Sequence, residues 1–79
     1  MTLDGLAIGA PARIIAVDWP ILAEDEMKRL QALGIDVGAS VELAHRGVFA
    51  GRDPLALRIG RMTIALRRSH ARAISVETV

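Results

Sequence analysis

The chain has 79 residues, of which 52% are apolar, with one Trp, one Phe, no Tyr and no Cys. That is one domain's worth of chain held by an aliphatic core, with no disulfide staple and no thiolate metal site. The net charge is only +1, which speaks against a strongly electrostatic nucleic-acid binder.

The charge is unevenly spread. Residues 1–39 carry six acids against three bases, and residues 40–79 carry three acids against seven bases, all seven arginine. The amino-terminal "MTLDGLAIGAPAR" lacks a basic region followed by a long apolar run, and no stretch of about 18 uncharged apolar residues occurs. The expectation is a soluble, cytoplasmic single domain spanning 1–79.

In chain order, "ARIIAVD" from Ala12 reads as a first, largely buried strand, with Pro11 at its start. "WPILAEDEMKRLQALG" places Met27, Leu30 and Leu33 at helical spacing, with acids at the front and bases behind. This predicts a helix near 24–33, with Glu24–Lys28 and Asp25–Arg29 pairs and Gly34 as a left-handed cap. Gly38 supplies a second tight turn. "SVELAHR" then alternates Val41, Leu43 and His45 against Glu42, Ala44 and Arg46, which predicts a second strand.

"GVFAGRDP" is punctuated by glycine and stopped by Pro54, so it reads as a loop with Val48 and Phe49 as exposed apolar candidates. Beyond it, Leu55, Leu57 and Ile59 share one strand face, Gly60-Arg61 forms a two-residue turn, and Met62, Ile64 and Leu66 resume the inward face. Arg58, Thr63, Ala65 and Arg67 then point outward. "RRSHAR" is a polar turn or short 3₁₀ piece, and "AISV" brings Ile74 and Val76 to a closing strand. Five short strands in so small a chain predict a mainly β fold with one short α-helix, closed into a barrel that leaves no open edge.

The residues "RLQALGIDVGASVEL" and "GRDPLALRIGRMTIALRRSHARAISV" resemble, in order and spacing, the FeoA family of small proteins associated with bacterial ferrous-iron uptake. Arg29-Leu30, Leu33-Gly34-Ile35, Gly38 and Val41 are similar to the family's helix exit into its second strand. Asp53-Pro54 and Ile64-Ala65-Leu66-Arg67 resemble its central hairpin, and Ala71 with Ile74 to Val76 its close. His70 departs from the pattern, standing where many relatives have a glutamate. The resemblance implies an SH3-like five-stranded barrel and a non-enzymatic accessory role beside FeoB, a membrane ferrous-iron transporter with a cytoplasmic GTP-binding domain. It also implies a cytoplasmic location, reaching the inner membrane only through that partner. The same barrel resembles the carboxy-terminal domain of iron-dependent repressors.

Two candidate contact sets follow. Arg58 and Arg67 suit bidentate recognition of carboxylates on a partner, although arginines on a strand also serve to block edge pairing. Trp19 and Leu22, with Phe49, are candidates for an apolar contact or for ordinary packing over the barrel end. His45 and His70 lie far apart without a ligand-spacing motif, so no metal site is assigned. No phosphate loop, nucleophile elbow or activated carboxylate pair is present, so no catalytic residue or cofactor is assigned. The alternative reading is a small-barrel nucleic-acid-binding or metal-responsive regulatory module. Two aromatics in separate segments and a single lysine count against the nucleic-acid form.

Overall fold

The computed structural model describes residues 1–47 and 54–79. The expectations for Val48 and Phe49 lie outside the described residues. In chain order the elements are a 3₁₀ turn Leu3–Gly5, β1 (Pro11–Val17), a second 3₁₀ turn Trp19–Ile21, α1 (Glu24–Ala32), β2 (Ser40–Arg46), β3 (Leu55–Ile59), β4 (Met62–Leu66), α2 (Arg68–Ala71) and β5 (Ile74–Thr78). All five strands form one antiparallel sheet in the order β4-β3-β2-β1-β5.

The expected barrel closure is not made. Among the described residues β4 and β5 each have one strand neighbour, because the four-residue α2 takes up the chain between them and buries Ala71 instead of continuing the ladder. The far side of β5 is covered by the amino terminus. Thr2 bridges to Ser75, and the Val76 N–H donates to the Met1 carbonyl at 2.8 Å.

β1 is not the largely buried strand expected. Ala12 and Ile14 face the core, so alternation turns Ile15 outward, 45% exposed, and a register shift between Ile14 and Ala16 leaves Ala16 at the surface too. β2 has the predicted span, and Val41 and Leu43 are buried as expected. A second bulge between Leu43 and His45 breaks the alternation, so His45 is exposed rather than inward. The same shift brings the Arg46 guanidinium back over the amino-terminal segment, where Nη2 donates to the Leu6 carbonyl. Its Nε is buried with no hydrogen-bond partner.

α1 ends one residue before the expected limit and buries Leu30 completely, with Met27 and Leu33 half-buried. Its end is a Schellman motif: the Gly34 N–H donates to Gln31 and the Ile35 N–H to Leu30. Gly34 has φ +97°, a conformation that costs a residue with a Cβ about 1 kcal/mol. Ile35 and Leu30, both fully buried, make the apolar contact that accompanies this cap. The Glu24–Lys28 pair forms at 3.2 Å. The expected Asp25–Arg29 pair does not, because Arg29 turns to Glu26 at 2.7 Å while Asp25 accepts the Glu26 N–H.

The β3–β4 hairpin matches its prediction in register, with Ile59 opposite Met62 and Leu57 opposite Ile64. Gly60 has φ +59° and Arg61 does not have positive φ, which makes a type II′ turn. Met62 is the exception to the inward face, being 45% exposed at the hairpin tip, while Ile64 and Leu66 are buried. The core is aliphatic, centred on residues such as Ile14, Leu30, Leu43, Leu57, Leu66 and Ile74. Each such side chain contributes roughly 1.5–3 kcal/mol by leaving water. No polar or charged residue is fully buried among the described residues.

Candidate functional site

Strand alternation decides which side chains are available to a partner. With Leu55, Leu57 and Ile59 inside, Arg58 must point out, and Thr63 and Ala65 on β4 do the same. Arg67, extended at φ −70° and ψ 146° ahead of α2, is exposed as well. All four residues therefore stand on the outer side, as expected. Arg58 lies opposite Glu42 in the β2–β3 register and pairs with its carboxylate at 3.5 Å. Arg61 and Arg67 carry no ion pair among the described residues.

Arg58 and Arg67 do not share a recess. Arg58 lines a shallow groove of about 270 Å³ with Pro11, Ser40, Val41, Glu42 and Gly60. Arg67 lines a cleft of about 290 Å³ between α1 and the end of β4, together with Glu26, Arg29, Pro54, Ala65, Leu66 and His70.

The second cleft has a polar wall that the sequence does not reveal. Glu26 Oε1 accepts from Arg29 Nε at 3.1 Å and Nη2 at 2.7 Å, and His70 Nδ1 lies 3.4 Å from the same oxygen without satisfactory hydrogen-bond geometry. The Arg29 hydrogen bond holds the Glu26 carboxyl below its usual range, opposed by burial and helped by the charges of Arg29 and His70. Arg29 Nη2 also reaches the Ala65 carbonyl at 3.4 Å, tying α1 to β4. The i,i+3 spacing of Glu26 and Arg29 carries a local signal for their pair. His70 comes from α2, and nothing in its sequence neighbourhood announces Glu26.

Trp19 and Leu22 lie at the second 3₁₀ turn and are half-buried, packed against the core cluster, whereas Ile21 between them is 61% exposed. The turn is fixed by the Asp18 N–H donating to the Ala73 carbonyl at 2.8 Å and the Leu22 N–H to the Trp19 carbonyl at 3.0 Å. Phe49 lies outside the described residues. His45, on the exposed side of the β2 bulge, and His70, in the cleft, belong to different parts of the molecule. Among the described residues no group of three or more His, Cys, Asp or Glu side chains converges as a metal site would require. No helix among them is long and apolar enough to cross a membrane.

No curated protein matches the chain. Several solved structures share its fold, among them the following three. Iron(II) transport protein A from Clostridium thermocellum is 30% identical, with a TM-score of 0.85 over 100% of this chain. This chain spans 46% of that protein's length. FeoA from Chlorobium tepidum is 25% identical, with a TM-score of 0.85 over 100% of this chain and 70% of its own. Stenotrophomonas maltophilia FeoA, solved in complex with zinc and described as a prokaryotic SH3 domain protein, is 32% identical, with a TM-score of 0.79 over 98% of this chain and 89% of its own. The open five-stranded sheet is thus an SH3-like fold. The FeoA domain model matches residues 1–78, and the chain belongs to the FeoA family.

Proposed function

We propose that this protein is a non-enzymatic accessory of bacterial ferrous-iron uptake that binds the cytoplasmic side of an FeoB-type transporter. Family membership supports the iron-transport setting. The observation that carries the docking reading is the outward presentation of Arg58 and Arg67 by the β3–β4 hairpin, with Arg67 left without an ion pair among the described residues. An exposed guanidinium, weakly hydrated and with its donors in a planar fork, is suited to carboxylates on a facing protein. The Trp19–Leu22 turn, with Ile21 at the surface, is the apolar contact of the same proposal, and Phe49 is its third member.

Regulation in this reading is differential affinity. A partner shifts a transporter's conformational equilibrium only to the extent that it binds one state more tightly than another. The test is co-purification with the transporter from membranes, with and without a GTP analogue, comparing the native chain with the Arg58→Glu/Arg67→Glu double variant. Recovery is expected to depend on the nucleotide and to drop in the variant. Equal recovery of the two chains removes the arginine face from the interface.

A further inference from the structure

The two edges of the sheet are treated differently. The outer edge of β5 is covered by Met1 and Thr2, through the Thr2–Ser75 bridge and the Val76 to Met1 hydrogen bond. β4 has β3 on one side and no strand on the other among the described residues.

The hairpin register fixes which backbone groups face outward. A two-residue turn makes Ile59–Met62 a hydrogen-bonded pair, and in an antiparallel ladder such pairs alternate with non-bonded ones. Met62, Ile64 and Leu66 therefore bond to β3, and the N–H and C=O groups of Thr63 and Ala65 point away from the sheet. The Ala65 carbonyl receives Arg29 Nη2 at 3.4 Å, as this geometry requires. No backbone group pairs with the Thr63 N–H, the Thr63 carbonyl or the Ala65 N–H from that side among the described residues. The cleft between α1 and β4 opens alongside this edge, with Ala65, Leu66 and Arg67 as one wall.

An exposed edge of this kind takes an additional strand. Charge decides which kind of strand. Arg61 in the turn and Arg67 just beyond β4 bracket the edge, both exposed and both without an ion pair among the described residues. Six residues of extended chain separate them by about 20 Å. A second copy of this chain is a poor occupant. The antiparallel register that uses both Thr63 and Ala65 sets Thr63 opposite the other copy's Ala65, and it forces Arg61 opposite Arg67 at both ends. Like charges directly opposed destabilise a strand pair. An acidic segment turns the same two positions into attractions.

The geometry points to β4 as the acceptor edge for an extended acidic segment of a partner protein. The segment adds as a sixth strand, with carboxylates six positions apart, at the two ends of a seven-residue stretch, meeting Arg61 and Arg67. This deepens the partner reading above, because it uses arginines of the same hairpin, but it specifies backbone pairing rather than contact with the sheet face.

The test uses the full chain, ¹⁵N-labelled, with two capped peptides in large excess: Asp-Val-Thr-Val-Thr-Val-Asp and its Lys-ended counterpart. With the acidic peptide, the Thr63 and Ala65 amide signals are expected to shift, and their hydrogen exchange to slow by about tenfold, while the Lys-ended peptide leaves them unchanged. Thr63→Pro removes the outward N–H, which an edge strand tolerates, and is expected to abolish the effect. The Arg61→Glu/Arg67→Glu double variant keeps every backbone group and is expected to exchange the preference for the Lys-ended peptide. Equal effects of both peptides, or of neither, overturn the proposal and leave the arginines as guards of a bare edge. Shifts around Arg58 without protection at Thr63 and Ala65 also overturn strand addition, yet leave face-on docking to a partner standing. Slowed exchange that grows with protein concentration in the absence of peptide assigns the edge to a second copy and overturns the acidic occupant.

Discussion

Asp4 joins the amino-terminal 3₁₀ turn to α2. Its carboxylate accepts from Thr2 Oγ1 at 2.5 Å and lies 3.9 Å from Arg68 Nε and 3.6 Å from Arg72 Nε. The Thr2 hydrogen bond is the main reason its carboxyl sits below its ordinary range. Partial burial works the other way, and its own backbone N–H, Arg72 and Arg68 add to the lowering. A carboxyl more acidic in the folded than in the unfolded chain stabilises the fold above its unfolded pKa, and that stabilisation is lost as pH falls through the folded value. Glu26, lowered chiefly by Arg29, acts in the same direction. Asp4→Asn is therefore expected to cost about 1 kcal/mol near neutrality and much less at about pH 3, read by urea unfolding at both. A loss of equal size at the two pH values means that the charge of Asp4 contributes nothing.

At the scale of elements, the β3–β4 hairpin shows where alternation decides energetics and where it stops. Ile64 is 8% exposed, whereas Met62, two residues earlier on the same strand face, is 45% exposed because the sheet's covering ends before the hairpin tip. Met62→Thr is expected to change stability by less than about 0.5 kcal/mol and Ile64→Thr to cost about 2 kcal/mol or more, both measured by chemical denaturation. Comparable losses would mean that the tip is covered in solution. Local patterns of this kind made much of the fold legible: the period of two through β3 and the first half of β2, the helical spacing of Leu30 and Leu33, and Gly34 at a helix end. What escaped depends on partners distant in sequence. The bulges beside Ile15 and His45 arise from register with neighbouring strands, and a bulge has no composition of its own. The cost of a free edge points to closure, but the amino terminus covers one edge by pairing across more than seventy residues, and the other has no strand neighbour among the described residues. The outward direction of Arg58 and Arg67 followed from the alternation. The Glu26–His70 approach did not, since its members lie on α1 and α2 and meet only in the folded chain.

For the whole molecule, the arginine excess of the second half is partly answered within the fold. Asp4 takes Arg68 and Arg72 as neighbours, and Glu42 takes Arg58. Arg61 and Arg67 are left unanswered among the described residues, so a chain of net charge +1 still presents a local positive field beside β4. Such a field acts over roughly a Debye length, about 10 Å at 0.1 M salt. It speeds encounter with an acidic surface more than it tightens the final complex. In the docking proposed above, association with the transporter's cytoplasmic domain is therefore expected to slow by about tenfold between roughly 0.05 and 0.5 M salt, with dissociation nearly unchanged, as followed by surface plasmon resonance. Arg67→Glu should flatten that salt dependence, while Trp19→Ala should speed dissociation at every salt concentration and leave the slope intact, because an apolar contact is not screened. An association rate indifferent to salt in the native chain would place the interface away from the hairpin, on the Trp19–Leu22 turn or elsewhere.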